Sequence, residues 1–466
     1  MKNKQNIIRF IGSAILCCLV QSVVISCDSF VDVEQPNSQL TSEAVFADYT
    51  TATAAMKDIY GKMRDGGLLT GKSVGLSHLL GQYTDELVCY QTGITTAEPF
   101  YNNGLTATNS FVQELWTSAY SQIYATNAVI EGVSHSTTLS TVEKQQLMGE
   151  ALFVRALLHS YLDGVYGGCP YIKTTDYQKN SSVKRLPQAE VYALCIADLE
   201  AAAALLPKSY ISIGRVRPNQ FAAKALLARL YLYNRQWSEA SNAASAVLNE
   251  TGLYVWEGNL DKVFLKGCSS TIWQFASSSG TTNTQEGALF VFNAGPPSSV
   301  SLSTELYNSF EVGDQRKNRW IRIINKGTAA WYHAYKYKQG IGTGTSTEYS
   351  VMLRLAEQYL IRAEARAQQG DLIGAKEDLN FVRSTAGLGN TVAVTSSEII
   401  EAVLMERRFE LFTETGHRFF DLQRNGKLDT KLSVVKGGWN STDVFWPVPQ
   451  SELLINPNLA PQNEGY

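Results

Sequence analysis

Histidine is scarce: five residues in a chain of 466, none in an HExxH pair. Structural and catalytic zinc sites draw on His and Cys at fixed spacings, so a zinc site is not expected here. Cysteine excludes as much. Of seven, Cys17, Cys18 and Cys27 lie near the N-terminus, while Cys89, Cys169, Cys195 and Cys268 stand far apart without a CxxC or Cys/His spacing. No disulfide pairing follows from that distribution. Long Lys/Arg runs are missing too, and a formal net charge of -3 leaves no electrostatic footprint for nucleic acid. There is no GxxxxGK[ST] loop, no GxGxxG between strand and helix, and no GxSxG elbow. No cofactor is therefore expected. Charged residues at 18% against hydrophobic residues at 44% describe a folded chain rather than a disordered one.

The first residues carry an address. Lys2, Lys4 and Arg9 precede an apolar run from Phe10 to Ser26, the charge order and length of a secretory signal peptide and short for a membrane span. The run ends in "VVISC", which resembles the lipobox of bacterial lipoproteins, with Cys27 as the residue to be lipidated; Val24 and Ile25 depart from the usual pattern. Loss of residues 1–26 takes the formal net charge from -3 to -6. A multiply acylated cysteine holds a protein stably on a bilayer, at about 0.8 kcal/mol per buried CH₂. The expected mature chain, 27–466, is attached to a membrane through that anchor only, and its length allows one large domain or two.

Helical spacing of apolar residues predicts an N-capped helix from Ser42 and helices near 110–131, 141–166, 188–206, 218–233, 237–250, 351–369, 372–385 and 397–413. Two of the helix pairs align. Placing Ala240 on Ala375 also matches Ala228 with Ala363, Leu226 with Ile361, Trp237 with Leu372 and Val247 with Val382. Small Ala at such points lets paired helices approach closely, as in tetratricopeptide-type hairpins. The fold class is thus mainly α, a scaffold of helical hairpins. A helical part, 27–250, is followed by an irregular insertion, about 251–350, in which "STIWQFA", "ALFVFN" and "AWYHAYKYKQG" read as short strands between Gly/Ser/Thr/Asn loops. Residues 351–466 return to helices.

Charge is densest in "MERRFELFTETGHRFFDLQRNG", 405–426. Glu406 and Glu410 stand one helical turn apart, about 6 Å between Cβ atoms, inside the about 5–9.5 Å that glycosidase carboxyls require. Their orientation is wrong: catalytic carboxyls flank a bond from opposite sides, and these share one helix face. Arg407, Arg408, Arg418 and Arg424 in the same stretch favour a structural ion-pair lattice, with His417 as a structural histidine. Binding chemistry is left to aromatic and amide residues of the irregular passages, where "WQF" and "YKY" read as inward-facing core and Tyr83, Tyr90, Phe100 and Tyr101 as core or ligand contacts alike. Flat rings dock the C–H faces of sugars, and Asn, Gln and Asp meet hydroxyl rims.

The succession "LRLAEQYLIRAEARAQQGDLIGAKEDLNFVRSTAGL", "ERRFELFTETGHRFFDLQRNG" and "WPVPQSELLINPNLAPQNEGY" resembles the SusD/RagB family of outer-membrane nutrient-binding lipoproteins. "EALFVRALLHSYLDGVYGGCPY" and "LYNSFEVGDQRKNR" agree in order, so the resemblance spans nearly the whole mature chain. It implies tetratricopeptide-like hairpins carrying a glycan-binding face, no enzymatic activity, and a SusC-like TonB-dependent transporter as partner. Asp28, Asp32 and Glu34 look like the surface-export signal of such lipoproteins, which places the body outside the cell. The family has no fixed ligand motif to transfer. The candidate ligand residues are Tyr83, Asp85, Tyr90, Phe100, Tyr101 and Asn103, then Phe292, Trp320, Trp331 and Tyr332. Some relatives serve peptide uptake, so a peptide is the alternative ligand. The readings outside the family are a helical glycoside hydrolase built on the spaced glutamates and a periplasmic tetratricopeptide scaffold without a small ligand.

Overall fold

The computed structural model describes residues 42–466, of which 45–466 form one compact unit. The expected signal peptide, the expected lipidation at Cys27 and the acidic residues behind it lie outside the described residues. The helix predicted from Ser42 is in fact two pieces, Ser42–Phe46 and α1 (Tyr49–Asp65). Asp48 separates them because its carboxylate accepts from the N–H groups of Thr50 and Thr51 and so starts a new helix.

The scaffold is a succession of antiparallel helices. After α2 (Leu76–Tyr83) and β1 (Leu87–Cys89) come α3 (Ser110–His135), α4 (Thr141–Tyr166), α5 (Gln188–Leu205), α6 (Gln220–Tyr233) and α7 (Trp237–Leu248). Each packs on the next from α3 onward. Their starts are written locally. Asn109 and Asn219 accept from N–H groups of the first turn, and Ser140 with Glu143 forms a reciprocal capping box. Then follow β2 (Thr271–Phe275), β3 (Val300–Leu302), β4 (Ile321–Lys326), β5 (Ala329–Ala334) and β6 (Ser350–Arg354). Last come α8 (Leu355–Gln368), α9 (Leu372–Thr385), α10 (Ser396–Leu411) and α11 (His417–Arg424). The predicted hairpin alignment has a physical counterpart: Ala228, Ala240, Ala363 and Ala375 are all fully buried, α6 packs on α7, α8 on α9, and α7 on α8.

Two local expectations fail. The helix predicted from Val351 begins at Leu355, because Ser350–Arg354 pairs antiparallel with β2, Thr271 opposite Arg354 and Phe275 opposite Ser350. "ALFVFN" is not a strand: Thr284 caps a helix over Gln285–Phe290. Both segments are short and apolar, where packing partners rather than periodicity decide the state.

The insertion builds a four-stranded antiparallel sheet in the order β1-β3-β5-β4. β4 and β5 form a hairpin with Ile321 opposite Ala334 and Lys326 opposite Ala329, turned by Gly327 in the left-handed region at φ +60°. One face of this sheet closes a core containing Leu87, Val300, Leu302, Ile321 and Ala334, together with Phe264, Trp320, Phe409 and Phe412. Side chains alternate across a strand, so the intervening residues face away from that core.

Candidate functional site

The glutamate segment is interior. Glu406, Glu410 and Glu414 run down α10 and the turn behind it, and the first two are almost fully buried. Glu406 meets Arg316 at 2.7 Å and Arg383 at 3.3 Å; Glu410 meets Arg316 at 2.9 Å and Arg354 at 2.5 Å; Glu414 meets Arg354 at 2.8 Å and Lys336 at 2.5 Å. The lattice is real, but its cations differ from those expected. Arg407 and Arg424 serve Asp421, while Arg408 and Arg418 serve Asp85. Burial alone would raise the Glu410 carboxyl, yet Arg354 and Arg316 bring it down to about 2. His417 is buried among Arg229, Arg407, Arg354 and Lys336, and burial first, then those cations, push it well below its usual range. With every carboxylate engaged by a cation, this cluster holds elements together rather than offering free acids for chemistry.

Half of the predicted ligand residues also belong to the interior. Tyr83 has no exposed surface; its ring meets Phe419, Trp439 and Trp446 edge-on near 5.9 Å, and its hydroxyl donates to the Asp443 carbonyl at 3.0 Å. Asn103 Nδ2 donates to the Tyr83 carbonyl at 3.0 Å. Phe100 packs against Trp446 with centroids 4.9 Å apart. Trp320 is buried and its Nε1 donates to the Leu260 carbonyl at 2.9 Å. Asp85 is a buried counter-ion: desolvation would raise it, but Arg418 and Arg408, each at 2.9 Å, hold it well below the usual carboxylate range. None of these five can stack on or hydrogen-bond to a ligand at the surface.

The other five stand at or near the sheet. Alternation along β5 sends Trp331 and His333 away from the core and Tyr332 towards it, and Tyr335, just past the strand, is half-buried outside that core. Tyr332 is half-buried and stacked on Tyr307, with centroids 4.0 Å apart at 15°. On the outward face Phe292 lies over His333 at 4.7 Å, and His333 meets Tyr335 edge-on at 5.6 Å. The Arg322 guanidinium sits 4.4 Å from the Tyr335 centroid. Gly295 lies flat on Trp331: a Cβ there would stand 2.1 Å from the indole, so only glycine lets this loop cross the ring. Tyr90 continues β1, its N–H donating to the Ser299 carbonyl at 2.8 Å, and is 36% exposed. Tyr101 is half-buried beside Cys89 and Tyr90, with Lys436 Nζ 4.0 Å from its centroid.

The result is an outward sheet face carrying Tyr90, Phe292, Trp331 and Tyr335, the last three half-buried and so held in place while keeping free edge or face. Burial pushes His333 down to about 4, with Arg322 adding to the effect, so its ring is neutral at physiological pH. Rings of this kind, flanked by Arg322 and Lys338, suit the apolar C–H faces and hydroxyl edges of a sugar. Tyr335, His333 and Arg322 were not anticipated; of the two tyrosines in "YKY", Tyr337 is in the core and Tyr335 is not.

Known proteins share this architecture and sequence. A SusD superfamily protein from Bacteroides vulgatus superposes with a TM-score of 0.78 at 22% identity, covering 90% of this chain and 99% of that one. A laminarin-binding SusD-like protein gives 0.76 at 24% identity, covering 90% and 99%. SusD-like protein P2 of Formosa agariphila is 26% identical over 421 residues, 77% of this chain and 81% of the relative. Residues 29–232 match the family model described as starch-binding and associating with the outer membrane, and residues 279–466 match that of the SusD family. The chain belongs to the SusD/RagB family of non-catalytic, outer-membrane-associated binding proteins.

Proposed function

We propose that the protein captures an oligosaccharide or polysaccharide on the outward face of the β1-β3-β5-β4 sheet and passes it to a SusC-like TonB-dependent transporter. The observation that carries the site is the gathering of Tyr90, Phe292, Trp331 and Tyr335 on one outward face, while Tyr83, Phe100 and Trp320 are absorbed by the core. Family members associate with SusC-like transporters and bind glycans, and the laminarin-binding relative shares the fold. In this reading Cys27 carries the lipid, the body faces the cell exterior, and Tyr101 with Lys436 borders the platform.

A glycan and peptide array with the mature protein tests the ligand class, followed by titration of the best binder. Trp331→Ala and Tyr90→Ala are expected to weaken binding at least tenfold each, about 1.4 kcal/mol, with both variants still folded by circular dichroism. Unchanged affinity in both variants would remove the site from this sheet, and binding confined to peptides would replace the glycan reading with the peptide one. On intact cells, externally added protease is expected to digest the protein. Protection, with a known surface protein digested in the same sample, would place it in the periplasm instead.

A further inference from the structure

On another part of the molecule, α1 presents Lys57, Tyr60, Gly61 and Arg64 at i, i+3, i+4 and i+7, the spacing of one helix face. That face forms one wall of a cavity of about 340 Å³, closed by Ser212, Val216 and Arg217 from the loop after α5 and by Phe275 and Ala276 at the end of β2. Its size lies in the range of about 300–1,000 Å³ typical of small-molecule sites. Gly61 keeps the helix wall low, since a Cβ there would meet nothing closer than the Arg64 guanidinium at 3.9 Å.

The lining contains three cations and no carboxylate. Behind it, Glu150 neutralises Arg217 through contacts of 2.9 and 2.5 Å, and Asp65 pairs with Arg64. Lys57 has no ion pair among the described residues, the adjacent Asp58 being taken by Lys62 at 2.7 Å. The three lining cations thus face two carboxylates, with Lys57 carrying the excess. An oxyanion would meet the excess charge of this lining, while Val216, Phe275 and Ala276 offer an apolar side for a ring.

We propose that this cavity is a second ligand site, which takes the carboxylate or sulfate ester of an acidic sugar. It is independent of the aromatic sheet face and uses different residues. The test is titration of the mature protein with glucuronic acid, glucose 6-sulfate and glucose. At least one of the two acids is expected to bind fivefold or more tightly than glucose, and which of them does so names the source of the anion. Lys57→Glu, at an exposed position, is expected to abolish that preference with the unfolding midpoint unchanged, and Trp331→Ala to leave it intact. Equal affinity for all three sugars, a preference surviving Lys57→Glu, or a preference lost in Trp331→Ala would each overturn the proposal.

Discussion

Glu410→Gln is expected to cost about 3–5 kcal/mol of folding stability, the range for removing one partner of a buried ion pair, and to leave ligand affinity of the folded molecule unchanged. The carboxylate lies between Arg316 and Arg354, both buried, and its loss leaves two guanidiniums short of a counter-charge in the protein interior. Glu406, Glu414 and Asp314 remain, but each already answers a cation of this cluster. The pH dependence has a definite sign. The Glu410 carboxyl is depressed, so its contribution is complete above its ordinary value of 4.5 and is lost as pH falls through about 2. The gap between wild type and variant should therefore be full at pH 7 and shrink in acid, measured by urea unfolding. A variant that binds glycan more weakly at an unaltered unfolding midpoint would return this segment to the ligand site.

How far these features could be read in advance depended on the range of the interaction involved. Helix starts at Ser140 and Thr395 are written within four residues, as capping boxes with Glu143 and Glu398, and the expected boundaries there fall within a residue. The repeated Ala positions of the two hairpins are likewise local patterns with a local cause. By contrast, the cations that neutralise Glu406 and Glu410 come from positions 316, 354 and 383, brought in by β6, α9 and the segment before β4. Nothing in the sequence between 405 and 426 announces them. The same limit separates Tyr83 from Tyr90. Both lie in polar, turn-rich surroundings, yet Tyr83 ends α2 against Trp439 and Trp446, more than 350 residues further along, whereas Tyr90 follows a strand whose outward positions stay open. Lys336 is the extreme case: its ammonium is buried, donating to the carbonyls of Glu410 and Phe412, and sits between Tyr335 outside and Tyr337 inside. A charged residue flanked by rings is, on composition alone, a surface residue.

Glu86→Gln is expected to stabilise the protein by about 3 kcal/mol at pH 8 and to have little effect near pH 4.5. Glu86 is buried at the foot of the sheet; Oε2 accepts from the Thr413 N–H at 3.4 Å and Oε1 has no partner. Burial first, and the neighbouring Asp85 charge second, push its carboxyl from the ordinary 4.5 up to about 7, against the opposing pull of Arg418 and Arg408. The folded state therefore keeps a proton that the unfolded chain releases. Stability tied to this group is complete below 4.5 and is lost as pH rises towards 7, which is the opposite of the Glu410 case. Glutamine is neutral throughout and of nearly the same shape, so the penalty never develops in the variant. Urea unfolding of both proteins at pH 5 and pH 8 separates the outcomes: a difference of equal size at the two pH values would mean that Glu86 does not titrate in this window. Asp85 and Glu86 are adjacent and equally buried, yet they are driven in opposite directions. Both guanidiniums, Arg408 and Arg418, are aimed at Asp85, each at 2.9 Å. That leaves Glu86 to meet the interior as a neutral acid.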